Sequence, residues 1–137
     1  MRANELTLRL PFPPTINHYY QPVRMGSAGV RVIVGKKGRA YRGEVLSTLL
    51  EQQGPRHIGG RESGREPIFD GRLHVTVELH PPTRAKRDLD NYLKATLDAL
   101  TAANVWADDE LIDRLTVRRC EVVKGGFVVV RISAANG

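Results

Sequence analysis

Two stretches in which apolar and polar residues alternate, each ended by prolines, most strongly constrain how this chain can fold. Leucines alternate with polar residues over 5–10, and the sequence Pro-Phe-Pro-Pro follows at 11–14. The same alternation covers 73–80 and stops at Pro81-Pro82. A period of two is typical of a strand with one buried face, and proline lacks the N–H group that pairing within a sheet requires. Both stretches are therefore predicted to be β-strands that end at extended loops.

Two other stretches carry apolar residues at helical spacing. Over 39–53, Tyr41, Val45 and Leu49 recur every fourth residue, and Gly54-Pro55 follows. Over 89–103, four leucines at positions 89, 93, 97 and 100 form one stripe. This spacing places the apolar side chains on one face of a helix, so both stretches are predicted to be helices that pack against the sheet.

The last third of the chain is predicted to add two strands. One covers 112–123, with a bulge at Arg118-Arg119 where the alternation breaks, and the other covers 127–132. Lys124-Gly125-Gly126 between them is typical of a tight hairpin turn. A short strand is also predicted earlier, at 31–34.

Strands and helices therefore interleave, and a hairpin closes the chain. This order predicts an α+β fold, a mixed β-sheet packed with helices in one compact domain over 1–137. A chain of 137 residues can bury a sufficient core without a disulfide or a structural metal. The stretch 54–72, rich in Gly, Arg, Pro and Glu, is predicted to be a mobile loop.

Charge is distributed very unevenly along the sequence. The net charge is +6, but residues 88–113 hold seven acids and one base, which is −6, and the remaining 111 residues are therefore +12. A basic body favours a polyanion such as nucleic acid. The acidic window would repel that partner unless a cation sat there, or it is only a solvated acidic helix. Composition alone leaves both interpretations open.

Other features bear on location and partners. Apolar runs are only a few residues long, so we expect no membrane partner. The charged first residues argue against a signal peptide, and a single cysteine, Cys120, excludes an intrachain disulfide. We therefore expect a cytoplasmic protein.

The most informative segment is 84–94, where the second strand leads into the second helix. Its acids are Asp88 and Asp90, and its last base is Lys94. On a helix, Asp90, Lys94 and Asp98 would lie on the face opposite the leucines, because they are four residues apart. If the helix packs back along its leucines, the turn at Asp108-Asp109 would bring a third carboxylate to the first two.

Such a group of side chains predicts a metal site for phosphate chemistry. Three close carboxylates repel one another unless a divalent cation neutralises them, and oxygen ligands favour Mg²⁺ or Mn²⁺. The ion can activate water and polarise a phosphoryl oxygen, and Lys94 could either stabilise the charge that develops or position the attacking water. Arg84, Lys86 and Arg87 are predicted to bind DNA phosphates beside the reacting one.

Each acidic residue also has a purely structural interpretation. Asp88 could cap the helix, with a stabilisation of about 1 kcal/mol. Asp90 and Lys94 could form a surface pair contributing about 0.2–0.5 kcal/mol. The stretch 108–110 could be an acidic first turn. The combination of acids, lysine and arginines in one segment favours the site.

The same residues resemble the RusA family of Holliday junction resolvases. The likeness comprises Arg87-Asp88-Leu89-Asp90-Asn91 with Lys94, then the blocks at 98–101 and 106–109, the opening at 10–20 and the turn at 124–126. It is weak over 21–72. The blocks occur in the order that the family has them, which makes the resemblance far more specific than one Asp-x-Asp would be.

The resemblance implies a small homodimeric, Mg²⁺-dependent endonuclease that resolves four-way DNA junctions by paired nicks. It places the catalytic, metal-binding carboxylates on Asp88, Asp90 and Asp109 and the essential lysine on Lys94, whereas Asp108 is not expected to be a direct ligand. Two alternatives stay open. The chain could be a non-catalytic junction-binding or DNA-binding module, or a Mg²⁺-dependent hydrolase acting on a smaller phosphate ester.

Overall fold

The computed structural model describes residues 4–54 and 64–135 and contains six strands and three α-helices in that part of the chain. In chain order these elements are β1 (Glu5–Pro11), α1 (Ile16–Tyr19), β2 (Tyr20–Arg24), β3 (Val30–Val34), α2 (Lys36–Gln53), β4 (Leu73–His80), α3 (Leu93–Ala102), β5 (Ile112–Arg119) and β6 (Phe127–Ala134). Three short 3₁₀ turns add to them, at Gly26–Ala28, Leu89–Tyr92 and Asp109–Leu111.

Four of the strands form one mixed sheet. Its order is β1-β6-β4-β5, and β2 and β3 form a separate antiparallel pair. Strand β4 runs parallel to β5 and antiparallel to β6, so the chain must cross from one end of the sheet to the other between β4 and β5. The 3₁₀ turn at 89–92 and α3 make that crossing. The predicted α+β class with a mixed sheet is confirmed.

The core lies between one face of this sheet and the helices. Register places the inward residues of the strands in rows, for example Leu8, Val130 and Val77 on three neighbouring strands. These side chains are fully buried, as are Val45 of α2 and Ala99 of α3. The period of two in the strands and of about four in the helices therefore generates one continuous apolar layer.

The closing hairpin predicted at 124–126 is wrong. Strand β4 lies between β5 and β6, so the two do not pair with each other. The turn passes across the end of β4 instead, where the N–H of Cys120 binds the Leu79 carbonyl and that of Val123 binds the Pro81 carbonyl. In β4, apolar and polar residues alternate over the whole strand, and β4 is paired on both sides.

The bulge and the end of β5 are also corrected. The strand ends at Arg119, and its register with β4 shifts between Leu73 and His74, where Asp113 is the extra residue. Arg118 and Arg119 continue the regular pairing. The alternation seemed broken because Arg119 is a charged residue on the inward side, where its guanidinium donates to the Arg87 carbonyl at 2.7 Å.

The helix predicted over 89–103 begins later in the sequence and is preceded by a 3₁₀ turn. Residues Leu89–Tyr92 are a 3₁₀ turn, closed by the N–H of Asn91 on the Asp88 carbonyl, and α3 begins at Leu93. A 3₁₀ turn has three residues per turn instead of 3.6, so residues four apart across this boundary no longer align. Lys94 therefore does not align with Asp90, four residues earlier.

Within the predicted loop 54–72, residues 55–63 lie outside the described residues, and mobility stays a prediction. Ile68 and Phe69 are buried, and their N–H groups bind the carbonyls of Asn104 and Val105. The end of the segment is therefore packed against the turn that follows α3.

Candidate active site

Asp88 and Asp90 stand at the surface between β4 and α3. Asp88 precedes the 3₁₀ turn and Asp90 lies within it, and both side chains are exposed. Within residues 4–54 and 64–135, neither carboxylate makes a hydrogen bond or an ion pair. Two acids one residue apart without a protein partner remain available to a cation.

The structural interpretations of these two residues do not hold. The Asp88 side chain accepts no capping hydrogen bond, although the residue occupies the N-cap position. Asp90 does not pair with Lys94, because the 3₁₀ turn removes the helical relation between them. Neither acid is therefore explained by the local stability of the chain.

Lys94 instead reaches Asp109. The Lys94 Nζ atom lies 3.4 Å from the Asp109 Oδ2 atom, across a sequence separation of 15 residues. The 3₁₀ turn at 109–111 contacts α3. That this turn brings a third carboxylate to Asp88 and Asp90 stays a prediction. Burial lowers the pKa of Lys94, but Asp109 and Tyr20 outweigh it and the net shift is upward. The ammonium thus stays charged at neutral pH.

Asp108, next in sequence to Asp109, has a structural role. Its carboxylate accepts a hydrogen bond from the N–H of Glu110 at 3.0 Å and so caps the turn at 109–111. An aspartate at this position stabilises the exposed N–H groups of a short turn. The expectation that Asp108 is not the direct ligand agrees with this contact but is not tested by it.

Asp98, one helical turn beyond Lys94, is bound by other side chains of the protein. It accepts hydrogen bonds from the Tyr19 hydroxyl and from the Arg42 Nη2 atom, the latter at 2.5 Å. Burial, with the hydrogen bond to Asp98, raises the pKa of Tyr19, so the hydroxyl keeps its proton. This network joins α1, α2 and α3 and fixes the helix that carries Lys94.

The three predicted DNA-binding residues fall into two groups. Arg84 and Lys86 are exposed and make no hydrogen bond or ion pair within the part of the chain that the structure describes. Arg87 folds back on its own loop, where it donates to the Thr83 carbonyl at 2.8 Å and to the Ala85 carbonyl at 3.1 Å. Arg87 therefore shapes the loop that presents the other two bases.

The donors fit a hard divalent cation, although they are not assembled around one. Among residues 4–54 and 64–135, no group of three His, Cys, Asp or Glu side chains is arranged to hold a metal ion. Mg²⁺ is commonly bound by one or two carboxylates together with waters and substrate phosphate. Asp88 and Asp90 supply two such carboxylates, and Asp109 is held only by the partly exposed Lys94.

Two residues at this site were missed by the sequence argument. Tyr19 is fully buried, although its polar and aromatic surroundings suggested a surface position. Tyr20 follows it, and burial together with the charge of Asp98 raises its pKa, while Lys94 acts in the opposite direction. The proline run at 11–14 is the sequence signal for this position, because α1 follows it and packs against α2 and α3.

In combination, two exposed carboxylates, a lysine–aspartate pair and bases that have no partner among the described residues are typical of nucleases. Such enzymes must bind a polyanion and stabilise extra negative charge on one phosphate. The described residues contain no helix that is long and apolar enough to span a membrane.

Comparison with known proteins identifies the family of this chain. The family model of Endodeoxyribonuclease RusA matches residues 11–133. Crossover junction endodeoxyribonuclease RusA of Escherichia coli O139:H28 (strain E24377A / ETEC) is 35% identical over 134 residues, 95% of each chain. The proteins so named from Shigella sonnei (strain Ss046) and Enterobacteria phage 82 are 33% and 32% identical over 130 residues, again 95% of each chain. This chain belongs to the RusA family of endodeoxyribonucleases, which confirms the resemblance.

Proposed function

We propose that this chain is a structure-selective endodeoxyribonuclease that resolves four-way DNA junctions by paired, Mg²⁺-dependent nicks, in DNA recombination and repair. The observation that carries the proposal is that Asp88 and Asp90, at the turn that leads to Lys94, have no partner among the described residues. Its relatives are named crossover junction endodeoxyribonucleases, which supports DNA as the substrate.

In this proposal the catalytic residues are Asp88, Asp90, Asp109 and Lys94. Asp88, Asp90 and Asp109 would hold Mg²⁺, or Mn²⁺ in its place. When bound, the ion lowers the pKa of water and stabilises charge on the phosphate. Asp109, which contacts Lys94 in this structure, would be the third residue that holds the ion, and the Lys94 ammonium would be available to the phosphate.

Lys94 acts as a cation and not as a base. A lysine side chain has an ordinary pKa of about 10.4, so the Nζ atom stays protonated at neutral pH even without Asp109 beside it. It therefore stabilises the extra negative charge of the pentacoordinate phosphate. The Tyr19–Asp98–Arg42 network holds α3 in place while the substrate binds. Arg84 and Lys86 bind the neighbouring phosphates, and Arg87 supports their loop.

The proposal includes a homodimer that acts on DNA at the nucleoid in the cytoplasm. A four-way junction has approximate two-fold symmetry, so an isologous dimer would present two identical sites to two equivalent strands. Paired nicks require this arrangement, because each chain holds one set of the four catalytic residues.

The test is cleavage of a synthetic four-way junction and of a linear duplex with the same arm sequences, each with and without Mg²⁺. We expect symmetrical nicks in the junction with Mg²⁺ only, and little cleavage of the duplex. Binding of the junction without nicks in Mg²⁺ or Mn²⁺ would support the non-catalytic DNA-binding module. Turnover of a small phosphodiester without DNA binding would support the hydrolase of smaller esters.

A further inference from the structure

The β2–β3 hairpin exposes apolar side chains that the proposed mechanism does not use. Val30 is 68% exposed and Val32 is 64% exposed, and Met25 at the turn is 46% exposed. Exposed valines this prominent on a small sheet are unusual unless a partner covers them. Strand β3 pairs only with β2 among the described strands.

These valines lie on the same side of the hairpin as Tyr20. Residues directly opposite each other in an antiparallel pair share a face, and successive residues alternate. Tyr20 is opposite Val34, Pro22 opposite Val32 and Arg24 opposite Val30. The face that begins at Tyr20 therefore continues through both valines to the tip.

Tyr20 connects this face to the candidate active site. Tyr19, its neighbour in the sequence, donates a hydrogen bond to Asp98, one helical turn beyond Lys94, so the hairpin begins beside the helix that carries Lys94. At about 3.4 Å per residue, Val32 is about 7 Å and Val30 about 14 Å farther along the hairpin. Phosphates of one DNA strand are spaced about 3.4 Å along the helix axis, so a hairpin lying along that axis would place the valines within about four nucleotides of the site.

The charge around the hairpin favours DNA over a second copy of the chain. Residues 6–43 contain seven Lys or Arg and no Asp or Glu. Arg24 and Arg31 are exposed and make no ion pair with a described residue. Two hairpins meeting across a two-fold axis would bring these arginines together without a compensating acid, whereas a phosphate backbone would neutralise them.

We propose that the β2–β3 hairpin recognises the branch point of the DNA. Val30 and Val32 pack against base faces that are exposed at the branch. Arg24 on the valine face and Arg31 on the opposite face bind phosphates on either side of the branch. Apolar side chains are used in this way by proteins that enter between base pairs. A linear duplex keeps its bases stacked and offers the valines no such surface. This inference rests on the proposed function and specifies how the site selects branched DNA.

The experiment compares the wild type with the double variant Val30→Ser/Val32→Ser, and uses Val122→Ser as the control. Val122 is 43% exposed and lies outside both the hairpin and the candidate site. Affinity for a four-way junction and for a linear duplex is measured in EDTA by fluorescence anisotropy over a range of salt. We expect the double variant to bind the junction at least about tenfold more weakly, because two valines lose their apolar contact with the bases, and the duplex within about twofold of wild type.

A second variant, Arg24→Ala/Arg31→Ala, separates charge from apolar contact. It should weaken binding to both DNAs and reduce the slope of log affinity against log salt by about 2. Unchanged junction affinity in both double variants, with wild-type binding and cleavage intact, would overturn the hairpin proposal alone. Conversion of a dimer to a monomer by Val30→Ser/Val32→Ser in sedimentation would assign the face to a second copy and overturn it also. Wild-type protein that binds no junction would overturn the proposed function itself.

Discussion

The acidic window contains two kinds of carboxylate, and Asp98 and Asp90 represent them. Asp98 is bound by a tyrosine hydroxyl and a guanidinium and joins three helices. Asp90, eight residues earlier, is exposed and has no partner in residues 4–54 and 64–135. Both residues carry the same group on the same segment of chain, so sequence spacing could not separate them.

The difference between them separates folding from chemistry. A half-buried acid that has two donors is paired with positive charge by the protein itself. An acid that no protein group neutralises is available to a cation from outside the chain. Asp88 belongs with Asp90, whereas Asp108 belongs with Asp98, because it accepts the N–H of Glu110. We therefore expect substitutions in the first group to affect cleavage and those in the second to affect stability.

The largest expected effect is that of Asp90→Asn on cleavage. We predict that the single-turnover rate on a four-way junction falls at least about a thousandfold, because a cation ligand is lost. Junction affinity should be retained or improved, since a negative charge next to the phosphates is removed. The unfolding midpoint in urea should match that of wild type. Full nicking activity in Mg²⁺ would contradict the assignment.

Replacing Lys94 tests the cation that faces Asp109. Lys94→Ala should lower the single-turnover rate about 10²- to 10³-fold, because the charge on the phosphate loses its nearest protein cation. Lys94→Arg keeps the charge and serves as the control, with a smaller loss expected. An unchanged rate in Lys94→Ala would leave Lys94 as one half of a surface ion pair.

Asp98→Asn should show the opposite pattern. We expect the free energy of unfolding in urea to fall by about 2 kcal/mol, because charged hydrogen bonds to Tyr19 and Arg42 are lost. The cleavage rate of the folded protein should fall much less than in Asp90→Asn. A variant as stable as wild type but unable to cleave would remove the distinction between the two acids.

The smallest expected effect concerns alkaline pH. The pKa of Tyr19 is raised in the folded protein, so above about pH 10 the unfolded chain loses this proton first and the native state loses stability. Tyr19→Phe should flatten this decline by up to about 1.4 kcal/mol per pH unit. Urea unfolding at pH 8 to 11 measures it. Equal slopes in the two proteins would show that Tyr19 titrates at its ordinary pKa.

Much of the fold could be predicted because the strands bury one face. The alternation at 73–80 gives β4 with its observed bounds, and the leucines of α3 predict which face is inward. The hairpin at 124–126 was predicted wrongly because a turn reveals that the chain reverses but not which strands then pair. Strand β4 lies between β5 and β6, so these two strands do not pair.

The candidate site could be predicted only as a set of residue types. Asp88, Asp90, Lys94 and Asp109 were chosen from spacing and resemblance, and their roles remain proposals. Spacing paired Lys94 with Asp90, but one 3₁₀ turn changed the partner to Asp109. The burial of Tyr19 depends on how α1 packs against α2 and α3, which no local pattern records.

The central claim is that the acids without protein partners bind the divalent ion. Electron paramagnetic resonance of Mn²⁺, titrated into wild type and variants in the presence of an uncleavable four-way junction, measures that binding directly. We predict that wild type and Asp98→Asn remove the free Mn²⁺ signal, whereas Asp88→Asn and Asp90→Asn leave most of it. Equal Mn²⁺ binding by Asp90→Asn and wild type would contradict the account.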